Sequence, residues 1–291
     1  MFTISIVTNR GDNLIKNIHR LRLLPQFEEI KVNIFLNNLK PGDQYCISEA
    51  LIGLSNVKQY YCETFIQARN RAISECTTKW MLFLDDDDYL TVNVVAMINY
   101  YIEKYGDTAD MINFRYEKVG RFDGTPTGEN KSNYTENFKI LMLSDFDKYE
   151  LSRQYRIYLG NGNSLLNVES IKKWDIKWKY PYCDDIYPIT NLYIRGTIVK
   201  SHELIGVYPI QTTVTEDKSE EQIKLLEDDM VSSYSDLIEL FGKENPILYL
   251  AVHNSYRQLQ VINHYTSERL RNLVNLTFVK NEVLRNRLSN S

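Results

Sequence analysis

WMLFLDDDDYL, residues 80–90, is the stretch that decides how the chain is read. Its first five residues are apolar without interruption, and four aspartates follow directly. A strand with one wet face alternates apolar and polar residues, whereas an unbroken apolar strand belongs in a parallel sheet covered by helices on both faces. The flanking sequence agrees. Residues 3–8 (TISIVT) and 31–36 (KVNIFL) are β-branched runs bounded by polar turns, and Leu14, Ile18, Leu21 and Leu24 recur between them at helical spacing. Residues 56–61 read as a third strand, 65–76 as a helix, 92–105 as another helix and 111–116 as a further strand. This β-α-β-α order predicts an α/β domain with a mainly parallel sheet and right-handed crossovers.

The rhythm breaks at residues 120–135, rich in Gly, Asn, Thr and Ser, which read as a long loop or a hairpin excursion. Beyond it lie a turn at 160–163, a helix near 168–174 and an acidic helix start at Asp184. From about residue 215 the pattern is helical. Residues 219–241 end at Gly242, a natural helix stop, and 246–288 read as one long, Gly-free helical stretch. The expected organisation is an α/β body over 1–215 and a helical segment over 216–291.

Composition narrows the function. The 34 Lys plus Arg stand against 38 Asp plus Glu, a net charge of −4, so there is no basic surplus of the kind nucleic-acid binding requires. The four cysteines form no C-x-x-C pair and the four histidines show no zinc spacing. The opening residues lack a basic leader with an apolar core, and no apolar run reaches the roughly 18–20 residues of a membrane span. These features predict a reduced, soluble, cytoplasmic protein. The 21 tyrosines suit sugar or base surfaces and ordinary half-buried positions equally.

Four adjacent carboxylates repel one another, and a cation relieves that repulsion. Oxygen ligands favour Mg²⁺, Mn²⁺ or Ca²⁺. On extended chain Asp85 and Asp87 share one side and Asp86 and Asp88 the other; the plainer alternative is an acidic loop with Asp88 capping a helix. Upstream, Gln67-Ala68-Arg69-Asn70-Arg71-Ala72 lies on the helix that leads into this strand, and Arg offers a fork suited to phosphate or carboxylate.

With these residues in hand the chain resembles the family 2 glycosyltransferases of the GT-A fold. The resemblance rests on the opening strand ISIVTN, the helix QARNRAISECTTKW and the run MLFLDDDDYL. Weaker matches are Gly160-Asn161-Gly162-Asn163-Ser164-Leu165-Leu166, Cys183-Asp184-Asp185-Ile186 and YPIQTTVT at 208–215. It covers roughly residues 1–215, with a donor-binding half near 1–116 and an acceptor half near 117–215. It implies an inverting, metal-dependent transfer of a sugar from a nucleotide-sugar, a UDP-sugar by preference, to a glycan, glycolipid or glycoprotein hydroxyl.

By the same resemblance Asp87 ligates Mn²⁺ or Mg²⁺ directly, with Asp85 and His202 completing the shell. Asp85 and Asp86, with Thr8, Asn9, Arg10, Asn37 and Arg69, bind the nucleotide. Asp185 is the general base, and Asp184 and Asn163 face the acceptor. Two positions depart from the family's habit. Thr8-Asn9-Arg10 stands where a Pro is usual, and Asn37-Asn38 stands where an acidic pair usually reads the base. An amide still pairs with a uracil edge, having both donor and acceptor.

The helical segment is acidic at its start and basic at its end, where Leu270, Leu273, Val274, Phe278, Val283 and Leu284 form an apolar stripe. Packing on its own domain or on a second copy of the chain, as a homodimer through these helices, is the favoured expectation; a peripheral membrane contact is the alternative. Two other functions compete with the transferase: a non-catalytic relative that binds another transferase, and a Mg²⁺-dependent phosphohydrolase with Asp85 as nucleophile.

Overall fold

A computed structural model of the chain describes residues 1–40, 42–119, 141–143, 148, 160–209, 219–262 and 265–277. Strands β1 (Thr3–Thr8), β2 (Lys31–Asn37), β3 (Val57–Cys62) and β4 (Trp80–Leu84) run parallel in the order β3-β2-β1-β4. The sheet continues through β8 (Ser164–Asn167), β6 (Met111–Val119), β9 (Ile198–Pro209) and the short β5 (Tyr89–Leu90), while β7 (Leu141–Leu143) pairs on β9. Strand β8 is antiparallel to both β4 and β6, whereas β6 and β9 are parallel. The expected mainly parallel α/β sheet is present.

The apolar strand does what its composition requires. Trp80, Leu82 and Leu84 face one core, with Ile4, Ile6, Val32, Ile34 and Leu36 from the neighbouring strands. Helices α1 (Gly11–Leu21) and α4 (Val94–Tyr105) cover that side through Leu14, Ile18, Leu21, Val95 and Ile98. Met81 and Phe83 face the other core, closed by α3 (Phe65–Glu75), α5 (Val168–Lys173) and α6 (Ile186–Arg195). Helix α2 (Asp43–Ala50) packs beside α1. All five β4 residues are buried, so each removes its full side chain from water, about 1.5–3 kcal/mol apiece. Because β1, β2 and β4 are parallel, Thr8, Asn37 and Asp85 emerge at one edge of the sheet, where α/β proteins place their ligands.

The C-terminal segment forms α7 (Glu220–Phe241), α8 (Pro246–Ile262) and α9 (Glu268–Thr277). Ser219 opens α7 with a capping box and Gly242 closes it at φ 83°. The long helical stretch read over 246–288 divides into two helices as far as it is described. Ser267 accepts the Leu270 N–H at 3.0 Å and starts a new helix, and its hydroxyl donates to the buried Glu227 of α7. Leu270, Leu273 and Val274 are thereby spent on the core between α7 and α8. The described part of the apolar stripe thus packs on its own chain. Phe278, Val283 and Leu284, the loop at 120–135 and the boundary near 215 lie outside the described residues. No helix among those described is long and apolar enough to cross a membrane.

Candidate active site

The aspartate run is a tight turn: the Asp88 N–H donates to the Asp85 carbonyl at 3.1 Å. The extended geometry expected at this point is absent, but the two-sided split survives, because Asp86 and Asp88 are buried and Asp85 and Asp87 are not. Two residues of α1 and β6 hold the turn. Asn17 donates its amide to the Asp85 carbonyl at 3.1 Å and the Asp88 carbonyl at 3.2 Å, and the Tyr116 hydroxyl donates to the Asp88 carboxyl at 3.1 Å. Burial, with the charges of Asp85 and Asp87, holds the Asp88 carboxyl well above the usual carboxylate range. The plainer alternative, Asp88 as a helix cap, does not hold: Asn93 stands at the N-cap of α4.

Asp86 turns toward β1. Both of its oxygens are engaged: one by the Thr8 hydroxyl and Arg10 Nε, the other by Arg10 Nη2. Burial raises its pKa despite those three donors. Arg10 also reaches Asp87 at 3.1 Å. Asn9 is exposed at the same edge, and Asn37 is buried with its side-chain oxygen unpartnered among the described residues.

Arg69 is the centre of the arrangement. It is 3% exposed, its plane lies against the rings of Phe83 (4.6 Å) and Phe65 (4.9 Å), and it joins two acids from distant parts of the chain. Its Nη2 donates to Asp85 at 3.1 Å and its Nε to Asp184 at 2.7 Å. Burial opposes the guanidinium's charge, but Asp184 and then Asp85 outweigh it and hold it protonated. Thr64 caps α3 by accepting the Gln67 N–H, which sets the helix that carries Arg69.

On the other side Asn161 donates to Asp184 at 3.0 Å. Asn163 is used differently from the expectation. It is buried, and its side-chain oxygen accepts the Gly160 N–H at 3.0 Å and the Ser164 hydroxyl at 3.3 Å, locking the turn before β8. Asp185 occupies the N-cap position of α6 without a side-chain capping bond. Burial, reinforced by the charge of Asp184, pushes its carboxyl up to about 7.

His202 is not brought to this cluster. Tyr89 pairs with Val207 in antiparallel register, and His202 lies five residues further along β9, in the irregular stretch where the step from Asn113 to Arg115 on β6 faces that from Lys200 to Leu204. Its surroundings are Lys200, Arg115 and Glu203, and burial lowers its pKa. Among the described residues no group of three or more His, Cys, Asp or Glu is arranged to hold a metal ion. Asp85 and Asp87, outward on one turn, are nonetheless a two-carboxylate set of the sort that binds Mg²⁺ or Mn²⁺ together with substrate phosphates and water.

Asn17, Tyr116 and Asn161 were not singled out in the sequence. Asn17 carried a readable signal: it sits on the α1 face of Leu14, Ile18 and Leu21, where a buried amide must find a partner. Nothing local distinguished Tyr116, and Asn161 stood only as part of the match over Gly160–Leu166.

A mainly parallel sheet flanked by helices, with further helices at the C-terminus, is the architecture of GT-A glycosyltransferases. The model of the family "Glycosyl transferase family 2" matches residues 4–159, and the chain belongs to that family. A search of curated proteins finds no match. Among solved structures, S. aureus TarS 1-349 in complex with UDP-GlcNAc is similar at TM-score 0.65 and 14% identity, over 94% of this chain and 79% of that one. Its complex with UDP gives 0.64 and 16%, over 98% and 77%. The mannosyltransferase PcManGT from Pyrobaculum calidifontis, in complex with GDP-Man and Mn²⁺, gives 0.57 and 13%, over 94% and 78%. At these identities the likeness is one of fold.

Proposed function

We propose that the chain is an inverting glycosyltransferase that moves a sugar from a nucleotide-sugar, UDP-linked in the first instance, to a hydroxyl of a glycan, glycolipid or glycoprotein. The observation that supports this most is the Arg69 bridge between Asp85, at the donor edge of the sheet, and Asp184, beside the acid that would meet the acceptor. One rigid side chain fixes the spacing between leaving-group chemistry and base chemistry.

Inversion needs a base on the face opposite the departing diphosphate. Asp185 suits the task because its carboxylate is not committed to a helix cap and its pKa of about 7 makes it an effective proton acceptor near neutral pH. Asp184 is bound to Arg69 and Asn161 and so serves to hold Asp185 in place and raise its basicity. Asp87 and Asp85 would hold the divalent ion, Mn²⁺ or Mg²⁺, which when bound supplies Lewis-acid neutralisation of the diphosphate. Thr8, Asn9 and Arg10 at the end of β1, with Asn37 at the end of β2, form the nucleotide side. The unpartnered oxygen of Asn37 is the kind of buried acceptor that a base N–H satisfies. Asp86, both oxygens already engaged, orients Arg10 toward that side. The reading places the enzyme in the cytoplasm, free or peripheral at the inner face of the membrane.

A screen of UDP-, GDP- and dTDP-sugars with MnCl₂, comparing wild type with Asp185→Asn, tests the proposal. Turnover of one donor class, lost in the variant while nucleotide binding persists, is the expected result. Nucleotide binding with no turnover of any donor would overturn it in favour of a binding module. Phosphate release from simple phosphomonoesters would point to a hydrolase.

A further inference from the structure

The acid pair Asp184-Asp185 sits at the end of a loop, residues 179–183, that has no sheet hydrogen bonds to fix it. What fixes it comes from the C-terminal segment, outside the matched family region. The Asp229 carboxylate on α7 accepts the backbone N–H groups of Tyr182 at 2.6 Å and Cys183 at 3.3 Å. Asp236 accepts Lys179 Nζ at 2.7 Å and the Tyr180 hydroxyl at 2.8 Å. Seven residues are close to two helical turns, so both carboxylates project from one face of α7 along the loop. Behind them Cys183 and Tyr187 pack with Leu226, Met230, Tyr234 and Leu248 in one core, and the Tyr234 hydroxyl ties α7 to α8 through Ser255 at 2.6 Å.

We infer that α7 is part of the catalytic apparatus, with Asp229 as a positioning residue that sets the backbone immediately before Asp184-Asp185 and Asp236 as its auxiliary. This rests on the transferase reading above. The physical ground is direct: two N–H groups on one carboxylate are charge-assisted bonds that define the path of the two residues preceding the acids. A displacement of about 1 Å at a catalytic group costs on the order of 10²-fold in rate.

The test compares wild type, Asp229→Ala, Asp229→Asn and Leu270→Ala, the last a buried tail residue that makes none of the loop's hydrogen bonds. The probe is whichever of UDP-glucose, UDP-galactose, UDP-N-acetylglucosamine or GDP-mannose the wild type turns over with MnCl₂. Asp229→Ala should lower kcat by about 10–100-fold with donor KM within about twofold. Asp229→Asn, which keeps an acceptor oxygen, should recover most of that loss. Leu270→Ala should lower Tm at least as much while leaving kcat near wild type. Amide exchange at Tyr182 and Cys183 should rise about tenfold in Asp229→Ala and stay low in Leu270→Ala. An active wild type whose Asp229→Ala variant keeps its kcat, or loses it no more than Leu270→Ala does, overturns the positioning role and leaves the transferase reading intact. If no donor is turned over, the transferase reading fails by itself, and unchanged exchange at Tyr182 and Cys183 would overturn the clamp separately.

Discussion

Two acidic clusters meet at this site, and they are held by opposite means. Asp85–Asp88 follow β4 directly, and their partners Thr8, Arg10 and Asn17 come from the adjacent parallel strand and the helix after it. The sheet that aligns β1 with β4 aligns these groups as well. Asp184 and Asp185 stand on a loop whose supports are Arg69, 115 residues back, and Asp229, more than 40 residues ahead. On the proposed function, the first is the donor edge, built into the sheet, and the second the acceptor edge, assembled from three separate regions. The difference predicts that the first tolerates perturbation of the tail and the second does not.

The largest effect is expected at the assembled edge. Asp185→Asn should cut kcat by about 10³-fold or more, since an amide takes up no proton, while the affinity for UDP with Mn²⁺ measured by calorimetry changes little. A variant retaining a tenth of wild-type turnover would move the base elsewhere. Arg69→Met, which severs the two clusters from each other, comes next. It leaves Asp184 buried without its cation, and breaking such a pair costs about 3–5 kcal/mol, read as a fall in the urea midpoint at unchanged slope. A loss below about 1 kcal/mol would mean that the bridge adds nothing to stability.

Much of the donor edge was legible and much of the acceptor edge was not, for the same reason. An unbroken apolar strand ending in aspartates announces a covered parallel sheet and its ligand-bearing edge within eleven residues. Arg69 was visible too, through its place on the helix feeding that strand. The sequence could not show that Arg69 would reach forward to Asp184, because that contact depends on how two distant crossovers pack. Asn163 and His202 were chosen for their neighbours in sequence, which could not show that the β8 turn engages the Asn163 side-chain oxygen or that, among the described residues, no metal-holding group includes His202. The break at Ser267 was obscured because a Gly-free, leucine-rich stretch looks continuous, whereas a serine cap needs only one hydroxyl and a partner in Glu227.

The pH dependence sharpens the contrast further. A carboxyl held up to about 7 in the folded chain, against 3.8 as its ordinary value, binds its proton more tightly folded than unfolded. Between those values the folded state carries the extra proton, so this group's contribution to stability falls as pH rises from about 4 to about 7 and is constant outside that window. The full difference corresponds to at most about 4 kcal/mol. Asp185→Asn should therefore raise Tm at pH 8 relative to wild type, with the gain vanishing near pH 4, even as it abolishes turnover. In wild type, kcat should rise with pH through a limb near 7. An acid limb near 4, with no stabilisation by the amide at pH 8, would show Asp185 to be an ordinary solvated carboxylate.

The smallest effect belongs to the donor edge and tests its redundancy. The Thr8 hydroxyl is one of three donors on Asp86, the other two being Arg10 nitrogens. Thr8→Val keeps the shape and the β-branch that suit a parallel strand, and it removes only the hydroxyl. Because Arg10 still holds both oxygens, the carboxylate is not orphaned, and the cost should be near that of one ordinary hydrogen bond, about 0.5–1.5 kcal/mol. The Thr8 oxygen also accepts the Arg10 backbone N–H at 2.9 Å, so Arg10 should loosen slightly and the UDP affinity with Mn²⁺ should fall by roughly threefold to tenfold. A loss as large as that of Arg69→Met would show that the donor edge hangs on one residue, and that the sheet register alone does not hold it.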